Sequence, residues 1–434
     1  AGGYGLSGLA NGKYGDFNFI ANASYMKTPG YLLSGNTPDS LGNQNLNSSL
    51  RTNTQQERLN LYLRGEYAVT NTTKMGVSVN YTDATKGVAP ETELAPADAR
   101  FWKYSDWKRT LITLNGEQKI LANSNLRLTA WADNFNQTID SYTGIDYSKI
   151  SSVQKDEDFT FGARLAYEHE ILDKQFITFA FNALSSAHDE TIDTNATSEF
   201  SQQTISTGLE YKGFFGDLYV FAGGAYDYNK TPKTGIFTDN ENLTYDDYAA
   251  FIGAKYTITD NLSAFTNLSR RSRFPTMREA YSGALGKFTV NPDLKPETGV
   301  LGDLGLSYGN SDLYVNVAGF YNYYDNMIVK IKDPNDPKKK KSMRVNLADA
   351  TIFGLDLTVK YTPISNLDLT ANMLMMQSNG NDNDSTETSH FEYKPKFSGS
   401  FIASYKLPYM ISCQAEAEFT GTQYGINSNF SDGY

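Results

Sequence analysis

Hydrophobic and polar residues alternate along the chain in short segments and do not recur at the spacing of an amphipathic helix. In residues 59–67, leucines at every second position are separated by polar side chains, and residues 75–81 and 353–361 repeat the pattern. Successive side chains of a β-strand point to opposite faces of its sheet. We identify eighteen such segments, which predict an all-β protein whose strands have one apolar and one polar face.

The links between these segments alternate strictly between short and long. Short links include residues 70–74 and 173–174, whereas long ones include residues 29–55 and 275–297. A soluble sandwich has no reason to keep its long connections at one end. A barrel of the outer membrane has short periplasmic turns and longer extracellular loops. The pattern therefore predicts a transmembrane, antiparallel, up-and-down β-barrel.

Seven tyrosines support the membrane interpretation because each stands a few residues before a short link, in phase with the apolar face of its strand. They are Tyr67, Tyr167, Tyr211, Tyr256, Tyr308, Tyr361 and Tyr405. A tyrosine ring is apolar while its hydroxyl reaches water, which suits the level of the lipid headgroups. These residues predict an aromatic girdle, which a soluble sheet would not need.

The composition of the chain excludes several kinds of membrane segment, partner and site. Hydrophobic residues make up 40% of the chain, and no apolar run approaches the roughly 20 residues of a membrane-spanning helix. The net charge of −11 gives no attraction for nucleic acid, so none is expected as a partner. The single cysteine, Cys413, excludes an internal disulfide framework and a cysteine-based zinc site, and we expect it to be buried.

Eighteen strands are too many for a small barrel that side chains fill, so the lumen is expected to be wide. Large barrels contain either an open aqueous channel or, in transporters of about 22 strands, a plug. The chain opens in a strand-like stretch, and residues 427–434 read as a loop. We therefore expect further strands beyond both ends, while channel and plugged transporter both stay open.

A specific resemblance favours the transporter. Residues 270–297 read RRSRFPTMREAYSGALGKFTVNPDLKPE, which resembles the FRxP…LxExY and NPxLKPE motifs of TonB-dependent receptors. Residues 313–331 and 346–357 resemble the strands that follow in that family. The resemblance is sharpest over residues 248–405. It implies that residues 1–434 are a partial receptor barrel, with about 18 of a probable 22 strands, and that an N-terminal plug domain is not in this chain.

The resemblance implies a receptor in the outer membrane of a Gram-negative bacterium, without catalytic residues or a cofactor. Such a receptor binds a scarce nutrient chelate and imports it with energy delivered by the TonB complex, which would be reached through the missing N-terminal part. The other expected partners are outer-membrane lipids and lipopolysaccharide. A ferric siderophore is favoured by family frequency alone, and cobalamin, copper, haem and sugar stay open. No histidine lies within residues 270–297, which makes haem less expected.

Two other functions are compatible with parts of this pattern. A passive porin-type channel would share the girdle, the loop asymmetry and the wet lumen. An outer-membrane barrel hydrolase is the lesser alternative, because His188 stands beside Asp189 near a strand end and could pair with it as acid and base. No nucleophile motif accompanies that pair, so a histidine at the rim of a polar loop is the preferred interpretation.

The candidate ligand-binding residues are Arg271, Arg273, Arg278 and Tyr281, which lie where a strand enters the motif-bearing loop. They could meet an anionic chelate by charge-assisted hydrogen bonds. The alternative is structural, because the prolines of NPDLKPE set rigid turns that Asn291 or Asp293 could cap, so that the loop folds back on the rim. We favour the structural interpretation.

Two polar loop stretches are weaker candidates. Asp382, Asp384 and Glu387 offer oxygen ligands suited to Ca²⁺, although their spacing is not that of an EF-hand loop. Lysines 338–341 could contact phosphates of lipopolysaccharide, but a solvated loop tip is the preferred interpretation.

Three methionines could be read as copper ligands, since thioethers suit that metal. Met373 and Met375, however, continue the apolar face of their strand, and Met376 is the neighbour that does not. Packing against lipid therefore explains two of the three.

Overall fold

The computed structural model describes residues 2–33, 40–41, 44–45, 50–91, 99–283, 288–337, 341–347, 349–381, 388–389 and 394–423. The predicted calcium ligands Asp382, Asp384 and Glu387 and lysines 338–340 lie outside these residues. Within them, no helix has the length and apolar character needed to cross a membrane.

Eighteen long strands make up most of the described chain. The first nine are Tyr4–Tyr14 (β1), Phe17–Thr28 (β2), Gln56–Thr70 (β3), Thr73–Val88 (β4), Trp102–Leu121 (β5), Ser124–Tyr142 (β6), Ile150–Leu172 (β7), Gln175–Ile192 (β8) and Ser198–Phe215 (β9). The other nine are Leu218–Thr234 (β10), Leu243–Thr259 (β11), Leu262–Arg273 (β12), Glu297–Gly309 (β13), Leu313–Asp325 (β14), Asp349–Ile364 (β15), Leu367–Asn381 (β16), Phe397–Lys406 (β17) and Ser412–Thr420 (β18).

Each strand pairs antiparallel with the next strand along the chain, from β1 to β18. The predicted up-and-down sheet of eighteen strands is confirmed. Among the described residues, β1 and β18 each pair with a single neighbouring strand, so the array is open along these two edges.

Short turns join the strands at one end of the sheet, the turn end, and longer links join them at the other, the loop end. Lys174 and Gly216 illustrate the turns, since each adopts a positive φ, 56° and 60° respectively. Glycine adopts this conformation at little cost, and Gly216 therefore suits the reversal between β9 and β10. The alternation of link lengths predicted from the sequence is thus a property of the fold.

The two faces of the sheet differ as predicted. Large apolar side chains are exposed on one face, which we call the outer face; Leu63, Leu209 and Leu355 are examples. On this face Tyr67 lies opposite Met75, next to a turn, and Tyr256, Tyr361 and Tyr405 are similarly exposed near theirs. Met375 is also exposed and lies opposite Leu355. Such an apolar surface is suited to lipid, and the residues between these positions face the other side of the sheet.

Several short elements connect the long strands. They are the strands Ser40–Leu41, Gln44–Asn45, Phe288–Thr289, Ile328–Lys332, Ser342–Asn346 and Thr388–Ser389, the 3₁₀ helix Thr238–Asn240 and the α-helix Met277–Tyr281 (α1). Phe288–Thr289 pairs with Ser342–Met343, which also pairs with Ile331–Lys332. The polypeptide between β12 and β13 is therefore joined to the polypeptide between β14 and β15.

Buried apolar side chains are few in the described part of the chain, and their largest cluster lies at the loop end. It contains Phe200 of β9, Ala280 and Tyr281 of α1, and Leu294. The protein thus has its apolar surface outside and a small core beneath one loop.

The expectation that Cys413 is buried is wrong: it is exposed on β18, where no further strand covers it among the described residues.

Candidate functional site

The polypeptide that links β12 to β13 folds back onto the polar face of the sheet, the inner face. We call residues 274–283 and 288–296 the motif segment. Its helix α1 starts with a capping box, in which the Thr276 side chain accepts from the Glu279 amide and the Glu279 carboxylate accepts from the Thr276 amide. Tyr281, at the end of α1, packs with Phe200 and Leu294. The motif segment is therefore anchored at both its start and its end.

Arg273 joins three elements at the start of the motif segment. Its Nε donates to Glu297 Oε1 at 2.6 Å, and its Nη1 donates to Glu279 Oε2 at 2.7 Å. The Arg273 guanidinium thus links the last residue of β12 to α1 and to the first residue of β13. Burial acts to raise the pKa of Glu279, but the bonds from Arg273 and Thr276 outweigh it and hold the pKa below its ordinary value.

Asn346 joins the end of the motif segment to the next loop. Its Oδ1 accepts from the Lys295 amide at 2.9 Å, while its Nδ2 donates to the carbonyls of Lys295 and Asn326 at 3.0 and 2.7 Å. Asn291 adds a second tie by donating to the Arg344 carbonyl at 2.9 Å, and its Oδ1 accepts from the Asp293 amide. The NPDLKPE stretch therefore folds back on the rim, and the sequence did not reveal its partner, Asn346.

The four candidate residues of the sequence occupy different environments. Arg273 is held by two carboxylates. Tyr281 is buried, which raises its pKa to about 12. Arg271 is exposed on β12, and Arg278 is exposed on α1. A role for these residues in ligand binding stays a prediction, and Arg278 lines the cavity described next.

That cavity, which we call the wall pocket, lies between the motif segment and the inner face of β5 to β8 and has a volume of about 850 Å³. One half of it is aromatic. Trp107 and Phe135 meet edge to face with ring centroids 5.2 Å apart, and Tyr104 and Trp102 extend the same surface. Lys86 places its ammonium group 4.6 Å from the centre of the Tyr104 ring and 4.9 Å from that of Trp107.

The other half of the wall pocket is polar and comes from the loop ends of β7 and β8. The strand register places His188 opposite Asp158 and Glu190 opposite Asp156. His188 Nδ1 lies 2.5 Å from Asp158 Oδ1. Gln154 Nε2 donates to Asp156 Oδ1 at 2.8 Å and to Glu190 Oε2 at 3.1 Å. The wall pocket thus places an aromatic surface beside a group of carboxylates and one imidazole.

The pairing of His188 with Asp189 that the hydrolase interpretation requires is wrong. Neighbouring residues of a strand face opposite sides of a sheet, so Asp189 lies on the face away from His188. The partner of His188 is Asp158 on the adjacent strand. The sequence contains a signal for this site, namely polar residues at every second position in 154–158 and 186–190, but only strand pairing brings the two runs together.

Comparison with known proteins agrees with the fold. A family model described as "TonB dependent receptor-like, beta-barrel" matches residues 2–434. The vitamin B12 transporter BtuB of Vibrio vulnificus is 30% identical over 126 residues, which are 29% of this chain and 18% of that protein. The aligned part is thus a small share of the length of that transporter.

Solved structures share the architecture at low identity. The copper transporter OprC has a TM-score of 0.77 at 14% identity, covering 96% of this chain and 68% of its own. The FrpB iron transporter from Neisseria meningitidis has a TM-score of 0.76 at 11% identity, covering 98% and 67%. The ferric citrate transporter FecA has a TM-score of 0.75 at 13% identity, covering 97% and 63%. The chain spans about two thirds of these proteins, which are transporters and not enzymes.

Proposed function

The chain belongs to the family of TonB-dependent receptors, and we propose that it forms the barrel of a receptor that imports a metal-bearing nutrient, most simply a ferric chelate. Barrels of this family lie in the outer membrane of Gram-negative bacteria. In the proposed mechanism, a plug domain preceding this barrel in the whole protein contacts the TonB complex, and energy from that complex opens the path for the bound nutrient.

The observation that carries the proposal is the wall pocket beneath the motif segment. Its volume of about 850 Å³ lies within the range of small-molecule sites, which are mostly apolar with a few oriented polar groups. Trp107 and Phe135 offer an aromatic surface to the organic part of a chelate. Arg278 and the polar half offer charged groups to its metal-binding part. The iron, copper and vitamin B12 transporters that resemble this chain make this class of nutrient the first to test.

The test is uptake by cells that lack their own receptor and express the intact protein. Labelled ferric siderophores, cobalamin and copper are supplied separately. We expect one of them to enter, and the Trp107→Ala, Phe135→Ala double variant to raise the half-saturating concentration about tenfold or more, since buried aromatic anchors often contribute more than about 1.4 kcal/mol to binding.

A matched control removes a different aromatic pair. Phe214 and Tyr219 lie 4.6 Å apart between ring centroids, beside the turn that joins β9 to β10. The Phe214→Ala, Tyr219→Ala variant should keep normal uptake if the wall pocket binds the nutrient. Equal losses in both double variants would contradict the assignment of the wall pocket.

Energy dependence separates the receptor from a passive channel. Uptake should stop when the gene for TonB is deleted or when an uncoupler collapses the proton gradient of the inner membrane. Uptake that continues under both conditions would contradict the proposal and favour a porin-type channel, in which entry follows the concentration gradient.

A further inference from the structure

Two buried carboxylates in the wall pocket form no ion pair with any lysine or arginine that the structure describes. Asp156 and Glu190 are 4% and 8% exposed, and no ion pair to either one is found within the described residues. Of the three arginines that line the wall pocket, Arg100 pairs with Glu91 and Arg109 with Asp133, while Arg278 acts on Glu190 only at longer range. Buried carboxylates are normally paired with a cation or bound to a metal ion. Neither Asp156 nor Glu190 is therefore neutralised by a lysine or arginine ion pair among the described residues.

The geometry of this half suits a single ion. One donor atom from each of Asp156, His188 and Glu190 lies within 4.8 Å of the other two. Nitrogen and oxygen ligands stand about 2.0–2.1 Å from Zn²⁺, so that tetrahedral ligands are about 3.3 Å apart. Binding an ion would therefore require these side chains to rotate toward it.

Gln154 supplies an independent indication. It is 4% exposed, and its Oε1 is buried without a hydrogen-bond partner. Its Nε2 lies between the two carboxylates and donates to both. Half a turn of the amide group would exchange the two atoms and place Oε1 where Nε2 now lies. A buried acceptor of this kind is unfavourable when left alone and favourable beside a cation.

The histidine is oriented as ligands of metal ions usually are. Asp158 holds Nδ1 of His188 at 2.5 Å, which leaves Nε2 as the nitrogen available to an ion. In metal sites the second ring nitrogen of a histidine commonly bonds a carboxylate, which fixes the ring and makes the ligand more basic. Asp158 would have this positioning role.

We propose that Asp156, His188 and Glu190, completed by Oε1 of Gln154, bind one divalent transition-metal ion of the Zn²⁺ class on the wall of the pocket. An imidazole nitrogen among oxygen ligands suits Zn²⁺ and its neighbours, whereas Ca²⁺ takes six to eight oxygens. The ion joins β7 to β8 and, because Ser282 donates to Glu190 Oε2 at 3.3 Å, it also joins the motif segment. It would face any ligand seated on the aromatic half.

The experiment is calorimetric titration of the intact receptor in detergent with ZnCl₂ after treatment with a chelator. We expect saturable binding of one equivalent. The Asp156→Asn, Glu190→Gln double variant should abolish it, and so should His188→Ala. Asp158→Asn should weaken the affinity about 10- to 100-fold. Each variant is first checked for its heat-dependent shift in gel mobility, which reports an intact barrel, and Glu190→Gln alone replaces any variant that does not fold.

The matched control is Asp303→Asn, which removes a carboxylate of β13 that accepts from Asn267 and takes no part in the cluster. It should bind Zn²⁺ as the unchanged protein does. Absence of saturable binding, or binding that survives in the double variant, would overturn the proposal. Tighter binding of Ca²⁺ than of Zn²⁺, insensitive to His188→Ala, would also overturn it.

The site requires only the barrel wall and does not rest on the proposed transport function. Zinc binding in a receptor that takes up none of the tested nutrients would support the site while counting against the transport proposal. Uptake of a nutrient without zinc binding would support the transport proposal and count against the metal site.

Discussion

The motif segment and the wall pocket lie side by side at the loop end of the inner face, yet their polar groups are used differently. In the motif segment, Arg273 satisfies Glu279 and Glu297, and Asn346 of the neighbouring loop satisfies both backbone groups of Lys295. In the wall pocket, Asp156 and Glu190 are buried close together, and neither forms an ion pair within the described part of the chain. The recognisable motif therefore stabilises the fold, while both proposed binding sites consist mainly of strand residues that belong to no motif.

The largest effect that tests this contrast is expected from Leu294→Ala. Leu294 is 1% exposed and packs with Phe200, Ala280 and Tyr281, so the substitution leaves a cavity beneath the motif segment. Such substitutions cost about 3 kcal/mol, and hydrogen exchange of the α1 amides should accelerate by about a hundredfold or more.

Leu304→Ala is the control, because Leu304 is 67% exposed on the outer face of β13 and does not contact the cluster. Its effect on exchange in α1 should stay within about 0.5 kcal/mol. If both leucine variants accelerate exchange equally, the motif segment is not held by its own small core.

A smaller effect is expected from Asn346→Ala. The substitution removes three hydrogen bonds of the Asn346 side chain and leaves the Lys295 amide and two carbonyls without it. Because each such hydrogen bond contributes about 0.5–1.5 kcal/mol and the two bonds to Lys295 are exposed, residues 291–296 should become moderately more sensitive to limited proteolysis. Asn372→Ala is the control, since its bond to Ser400 lies on the exposed strand wall; unchanged cleavage in Asn346→Ala would contradict the scaffolding role.

Acidification should loosen the motif segment by a smaller amount. The pKa of Glu279 is held below its ordinary value of 4.5, so the stabilisation from its bonds is present above that pH. This stabilisation is lost as the pH falls through the lower pKa that Glu279 has in the folded state. A spin label at Gly283→Cys, in a Cys413→Ser background, should gain mobility as the pH falls from 6 to 3.

Glu279→Gln supplies the comparison for this titration. The variant lacks the carboxylate, so the difference in label mobility between it and the parent should shrink as the pH falls. A difference that stays constant over this range would mean that another group controls the motif segment.

The sequence predicted the sheet well because period-two alternation and link length are local properties. The eighteen strands, the turn end and the outward tyrosines all follow from residues a few positions apart. The wall pocket depends instead on register: residues 154–158 and 186–190 meet because β7 and β8 pair at Asp158 and His188. No short-range pattern fixes such a pairing, and the adjacent Asp189 was therefore a misleading partner for His188.

The smallest effect on stability and the sharpest test of the contrast come from Arg278→Ala. Arg278 belongs to the motif by sequence, but its side chain is exposed and lines the wall pocket, and its carbonyl, which accepts from Arg344, is kept in the variant. Exchange in α1 should therefore change by less than about 0.5 kcal/mol, while the half-saturating concentration for nutrient uptake rises. For Arg273→Ala we expect the opposite result, with a large increase of hydrogen exchange in α1 and a smaller effect on nutrient uptake. If Arg278→Ala loosens α1 as much as Arg273→Ala does, the division between a scaffolding motif and a binding wall does not hold, because one set of residues would then serve both purposes.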